Sequence, residues 1–168
     1  QLSKIIKKLG SINNKISKNV QAQYEENPYP RWKFGDTSQS PEKNLDQIIN
    51  DEIEPNFIIY KPENRKLKVL IAGCGTGNQI LDAKRFNNAK IYAIDLSISS
   101  LSYAKRKLNE LNINNVQLIQ MDILEVNLLE QRFDIIECGG VLHHMADPVA
   151  GLKALLKILR PNGFLKLG

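Results

Sequence analysis

Three glycines at alternate positions, Gly73-x-Gly75-x-Gly77, follow directly on the apolar run Val69-Leu70-Ile71-Ala72. A lone acid, Asp95, closes a second apolar run twenty-two residues after Gly73. Glycines let a backbone turn tightly and approach a ligand closely, and a carboxylate at the end of a neighbouring strand can accept hydrogen bonds from two ribose hydroxyls. Two further groups with chemistry follow later apolar runs: Asp122 after 116–120, and the pair His143-His144 after 133–138. This order predicts a strand–turn–helix cradle for an adenosine-containing cofactor.

The third glycine decides between cofactors. Dinucleotide sites use G-x-G-x-x-G, in which the last glycine lets the helix pack closely beside a pyrophosphate. Here that position is Asn78. S-adenosylmethionine suits the register better, because its methionine end carries an ammonium and a carboxylate in place of a diphosphate. A NAD-dependent oxidoreductase is the competing reading. Asn78 and the lack of a substrate domain weigh against it.

The elements that must position these groups alternate. Apolar runs predict strands at 69–72, 90–94, 116–120, 133–138 and 164–167. Between them, helical patterns cover 78 to about 86, 97–111 with Ser97 as N-cap, and about 148–159, with a turn at 160–163. Strands alternating with helices predict an α/β fold with a doubly wound parallel sheet, Rossmann-like, whose ligands bind at the carboxyl ends of the strands. Every group singled out above falls on that rim.

Upstream, Leu2, Ile5, Ile6, Leu9, Ile12, Ile16 and Val20 recur at helical spacing and predict an amphipathic helix over 1–22, weakened at Gly10. An ordered loop over 24–41 and a helix opened by Ser40-Pro41-Glu42 and running to about residue 51 complete the first part. The chain thus divides into N-terminal helices and a lid segment (1–65) and a cofactor-binding core (66–168).

With 168 residues and 42% apolar content, the chain suits one domain with a sizeable core. No run approaches the ~18 apolar residues of a membrane span. Lys4, Lys7 and Lys8 interrupt the only N-terminal stretch resembling a leader. Cys74 and Cys138 show neither C-x-x-C nor metal-ligand spacing, which suits a reducing, cytoplasmic setting and argues for no metal site. The net charge of +5 is scattered, and Lys105-Arg106-Lys107 reads as the solvent face of a helix rather than a nucleic-acid patch. The first residue is Gln1 and the last, Gly168, falls inside an apolar run, the expectation for a piece of a longer protein.

The stretches VLIAGCGTGN, IYAIDLS, QMDIL, FDIIECGGVLHHM and LRPNGFLKLG, in that order, resemble the class I S-adenosylmethionine-dependent methyltransferases over about 66–168. YEENPYPRW, DLSISSLSYAKRK and GGVLHHMADP resemble more narrowly the bacterial methyltransferase domains attached to tetratricopeptide repeats. That resemblance implies an upstream repeat region as a partner within the full-length protein. It places Gly73, Cys74, Gly75 and Gly77 about the methionine moiety, Asp95 on the ribose and Leu96 against the adenine. Asp122 would accept from the adenine amino group and the Ile123 N–H would face a ring nitrogen, with capping as the structural alternative for Asp122.

Many members of the family carry an Asp or Asn where this chain reads Glu137-Cys138-Gly139-Gly140. No specific catalytic acid is therefore assigned. His144, then His143, are candidate general bases, because a near-neutral pKa suits that task. Neighbouring side chains diverge and no third ligand is evident, so the pair is not read as a metal site. Tyr24, Tyr29, Arg31 and Trp32 form an aromatic–basic cluster that reads either as an anchored loop or as a lid over cofactor or substrate. The family's sheet continues past its fifth strand, where this chain stops, so the C-terminal strands are missing or the last strand shows a bare edge. The resulting expectation is methyl transfer to an acceptor the sequence does not name, with a cofactor-binding scaffold or sensor as the alternative.

Overall fold

The computed structural model describes residues 2–32, 43–60, 65–86 and 88–168. Six strands among them form one parallel sheet: β1 (Lys7–Lys8), β2 (Leu67–Ala72), β3 (Ala89–Asp95), β4 (Val116–Gln120), β5 (Phe133–Cys138) and β6 (Leu159–Leu167). The helices are α1 (Lys15–Glu26), α2 (Leu45–Ile53), α3 (Asn78–Ala83), α4 (Ile98–Glu110) and α5 (Pro148–Ile158). No helix among the described residues is long and apolar enough to cross a membrane.

The central strands read as mostly apolar runs because helices cover both faces of the sheet. Successive side chains of a strand point to opposite faces. Val69 and Ile71 accordingly join Ile91, Ala93 and Ile135 on one face, against Leu101 and Ala104 of α4. Leu70 and Ala72 join Tyr92, Ile94 and Ile136 on the other, against Leu155 and Ile158 of α5.

Strand order is β1-β4-β3-β2-β5-β6. From β2 the chain builds outward through β3 to β4, then crosses back to lay β5 on the other side of β2. That reversal opens a crevice at the carboxyl ends of β2 and β5, where open α/β sheets bind ligands.

The predicted helix over 1–22 is only half right. Leu2–Lys4 is a single 3₁₀ turn, Lys7–Lys8 is a strand, and α1 begins at Lys15. β1 pairs Lys7 with Ile119 and Lys8 with Gln120, hydrogen-bonding backbone that would otherwise end the sheet at β4. Ile6 is buried while Ile5 is 66% exposed. Gly10, with φ +70°, then turns the chain toward α1, whose Asn14 cap accepts from the Ile16 and Ser17 amides at 2.9 and 3.2 Å.

Ser40-Pro41-Glu42 lies outside the described residues. The helix described there is α2, beginning at Leu45, where the Asn44 amide donates to Gln47 Oε1 at 2.9 Å. The turn predicted at 160–163 is absorbed into β6 as a bulge. Phe133 pairs with Leu159 and Ile135 with Phe164, so the intervening residues loop out, with Asn162 at φ +60°. On α4, Lys107 and Arg106 pair with Glu110 at 2.9 and 3.6 Å, as a solvated helix face does.

Candidate functional site

A cleft of about 430 Å³ opens at the carboxyl rim of the sheet. Of the expected cofactor residues, Gly73, Cys74, Gly75, Asp95, Leu96, Asp122 and Ile123 line it, together with Tyr29, His143 and His144. Gly77, Arg31 and Trp32 do not. Gly77 instead faces α4: a Cβ there would lie 2.9 Å from that of Ala104, at a backbone φ of +91°. Its role is to let the turn pack against the helix.

The glycine turn has few amides to offer an anion. The Gly73 and Cys74 N–H groups both donate to Ile94 O, Gly77 N–H donates to Cys74 O, and Gly75 N–H donates to Asp95 Oδ2 at 2.8 Å. A diphosphate cradle needs such donors unpaired and aimed at the ligand. This turn is built differently, and the dinucleotide reading loses its physical basis.

Asp95, the last residue of β3, organises the rim. Oδ2 accepts from Gly75 and Oδ1 accepts from the Ser97 amide at 2.9 Å. Each oxygen has two acceptor positions, so one on each remains for a vicinal diol. Burial pushes the Asp95 carboxyl above its ordinary pKa against the pull of those amides, and the charge of Glu25 adds to the rise. No basic side chain among the described residues pairs with it.

Glu25 is a rim residue that spacing alone did not reveal. Its carboxylate accepts from the Ile98 amide at 2.7 Å and from the Ser99 amide at 3.0 Å. With Ser97 N–H on Asp95 and Ser100 N–H on Ser97 Oγ at 3.0 Å, all four open donors of the first turn of α4 are satisfied. Tyr24 O accepts from Ser97 Oγ at 3.0 Å and Gln21 Nε2 donates to Leu96 O at 3.2 Å, so α1 is fastened along the Asp95–Ser99 turn. Glu25 does lie within YEENPYPRW, the motif singled out for its aromatics.

The segment after α1 crosses the glycine turn. Thr76 Oγ1 donates to Pro30 O, and a Cβ on Gly75 would come within 2.7 Å of Tyr29 O. Trp32 continues behind the site: its Nε1 donates to Thr76 O at 3.2 Å and its ring meets Tyr103 edge-on at 6.1 Å. Tyr29 and Pro30 therefore cover the cleft, whereas Trp32 anchors them to α4 and Arg31 lies exposed. An indole with one donor and a large apolar body packs best where both are matched, which here is the back of the turn.

Asp122 is buried and caps the 3₁₀ stretch Ile123–Leu129 by accepting from the Leu124 amide at 3.0 Å, while still lining the cleft. His143 and His144 sit exposed at the opposite lip, in the 3₁₀ turn Leu142–His144. Their rings do not diverge as expected, because the tight turn brings the centroids to 4.0 Å. Among the described residues no group of three His, Cys, Asp or Glu is placed to hold a metal ion. Glu137 turns away from the cleft to Arg85, 2.8 Å from Nη2. The Cys74 thiol is held well above its ordinary pKa, by burial first and by the Asp95 charge second, so it stays protonated at neutral pH. Sequence reasoning also missed Gln79, which reaches across to Gly139.

A doubly wound parallel sheet with a glycine turn after its first central strand and an aspartate lining the cleft at the switch point is the fold of the class I methyltransferases. The methyltransferase domain model matches residues 63–167, and the chain belongs to that family. It is 35% identical over 121 residues to the malonyl-[acyl-carrier protein] O-methyltransferase of Priestia megaterium, covering 71% of this chain and 40% of the relative. An uncharacterized protein of Rickettsia prowazekii is 28% identical over 151 residues, covering 88% of this chain and 57% of the relative. Among solved structures, PKMT2 from Rickettsia typhi in complex with AdoHcy superposes with a TM-score of 0.54 at 33% identity, covering 61% of this chain and 20% of that one. The chain spans from 26% to 57% of the length of the first curated relatives it matches.

Proposed function

We propose that this chain binds S-adenosylmethionine in the rim cleft and serves in the transfer of its methyl group to an acceptor. The observation that carries the proposal is Asp95, lining the cleft with acceptor capacity on both oxygens, beside a glycine turn whose amides are already paired. When bound, the cofactor supplies a methyl on a sulfonium, displaced in line to leave a neutral thioether. Asp95 would take the ribose hydroxyls, Leu96 would pack on the adenine, and Asp122 with the Ile123 amide would meet its polar edge. Tyr24, Tyr29 and Pro30 exclude water from the reactants, which is most of what such a displacement asks of a protein. His144 or His143 accepts a proton at the lip when the acceptor carries one.

YEENPYPRW and its companion motifs support an upstream tetratricopeptide repeat region in the full-length protein as the means of bringing acceptors to this lip. The free, buried cysteines fit a reducing, cytoplasmic setting. One observation favours a second reading, a cofactor-binding scaffold: Glu137 is turned to Arg85, so β5 brings no acid to the cleft.

Titration calorimetry with S-adenosylhomocysteine and NAD, followed by labelled-methyl transfer into cell extract, tests these readings. Binding of the thioether with no measurable NAD binding, and incorporation of label, is expected. Tighter binding of NAD overturns the cofactor assignment. Binding without incorporation by the full-length protein selects the scaffold.

A further inference from the structure

Helix α1 walls the Asp95 side of the cleft without belonging to the core. None of its side chains is buried, and neither apolar cluster of the sheet draws on it. Ser17, Val20 and Tyr24 turn one face of the helix to the cleft. The helix hangs between two fixed points. On one side the Ser11 amide donates to Glu125 Oε2 at 2.7 Å, and on the other Thr76 holds the Pro30 carbonyl. Between them, the described hydrogen bonds that fasten it all end on residues 96–99. An element held by few apolar contacts opens at a lower free energy than the core.

Glu25 makes three of these five bonds, to the Ile98 and Ser99 amides and to the Ser99 hydroxyl. They are also the strongest, because the acceptor is charged and meets the positive end of α4. The amide just before them, Ser97 N–H, is taken by Asp95 Oδ1. One row of donors thus serves two carboxylates, Asp95 in the cleft and Glu25 on the helix that walls it. The two repel, and the charge of Glu25 is felt at Asp95. Hydroxyls donated to Asp95 by a ligand spread its charge and relieve that repulsion. A ligand on Asp95 therefore tightens the hold of Glu25, and by linkage Glu25 tightens the hold on the ligand.

Resting on the S-adenosylmethionine reading above, we propose that α1 is the gate through which the cofactor enters and leaves, and that Glu25 is the latch that keeps it shut. Glu25 does not line the cleft and takes no part in the displacement at sulfur. It is a positioning residue, acting through α1 and the turn after Asp95.

The test is the dissociation rate of S-adenosylhomocysteine, measured by stopped flow for the wild type and Glu25→Gln. Glutamine keeps the size of the side chain but turns an N–H₂ group toward donors. The rate should rise about tenfold or more, the scale of losing hydrogen bonds to a charged group. Unfolding of part of a preparation cannot mimic this, because only complexes already formed are followed. Ser99→Ala, which keeps both amides and removes the hydroxyl donor, should raise the rate about threefold. It carries the test by itself if Glu25→Gln does not fold. Trypsin gives a second reading at Lys15 and Lys18, both exposed on α1. Saturating S-adenosylhomocysteine should slow these cuts in the wild type and slow them less in Glu25→Gln. Dissociation from the folded variants at the wild-type rate, or cuts in wild-type α1 that ignore the ligand, overturns the latch and leaves the cofactor reading intact. Failure of the wild type to bind S-adenosylhomocysteine at all overturns both.

Discussion

Two aspartates stand at opposite rims of the same parallel sheet, and their surroundings give them opposite properties. Asp134, near the start of β5, is fully buried beneath Arg65, which meets it through both guanidinium nitrogens at 2.7 and 2.5 Å. The Lys68 amide adds a third bond at 2.8 Å. Burial alone would raise the Asp134 carboxyl, but Arg65, the Lys68 amide and nearby Arg160 outweigh it and hold the group below the ordinary carboxylate range. At the other rim Asp95 has two amides and no paired cation among the described residues, and burial prevails. One rim consumes its carboxylate's bonding capacity to hold the fold, and the other leaves capacity for a ligand.

The largest expected effect comes from Asp134→Asn. Removing one partner of a buried ion pair leaves the other uncompensated, typically at 3–5 kcal/mol. Arg65 is partly exposed and can regain water, so a loss of about 3 kcal/mol in urea unfolding is expected, with cofactor affinity unchanged in the folded protein. The stability Asp134 contributes is fully present above the unfolded carboxylate pKa of about 3.9 and is lost as pH falls through its lower folded value. The gap between wild type and Asp134→Asn should therefore close only in strong acid. A gap independent of pH contradicts this account of the pair.

Asp95→Asn should do the reverse. Loss of hydrogen bonds from the ribose to a charged acceptor costs roughly 1.5–3 kcal/mol of binding, seen as a 10- to 150-fold rise in the dissociation constant of S-adenosylhomocysteine. Because the folded pKa of Asp95 is raised, its ionisation opposes folding as pH climbs from the unfolded pKa through the raised one. Neutral-pH stability should then hold or increase slightly in the mutant. An Asp95→Asn protein that unfolds while binding normally breaks the comparison. Gly77→Ala gives the smallest shift, about 1–2 kcal/mol of stability, from backbone strain at positive φ and crowding against Ala104. Its cofactor affinity once folded should stay near that of wild type, since Gly77 does not line the cleft.

Much of this architecture was legible in order along the chain. The runs at 116–120 and 133–138 are the observed strands β4 and β5, and Ser97 caps α4 as its type and place predict. A strand buried on both faces is mostly apolar, and a helix start needs a short polar side chain, so neighbouring residues suffice to read them. The 1–22 segment misled because Ile5, Ile6 and Leu9 satisfy helical spacing, while the pairing of Lys7 and Lys8 with β4 was settled by a strand more than a hundred residues away. Likewise the aromatics at 29–32 read either as an anchored loop or as a lid, and which of them line the cleft depended on where Thr76 and Tyr103 lay.

The sequence by itself determined the parallel sheet, the rim at which the cleft opens and the place of Asp95 on it, because strand ends and turn glycines are local facts of spacing. Tertiary structure alone decided that Glu25 caps α4 from 73 residues away, that Gln79 faces Gly139 across 60 residues, and that the two acids of β5 pair with different arginines, Asp134 with Arg65 and Glu137 with Arg85. Each of these is a hydrogen-bonding partnership between groups distant in the chain. Residue type states how many bonds a side chain can make, but only the folded backbone brings the donors and acceptors within reach.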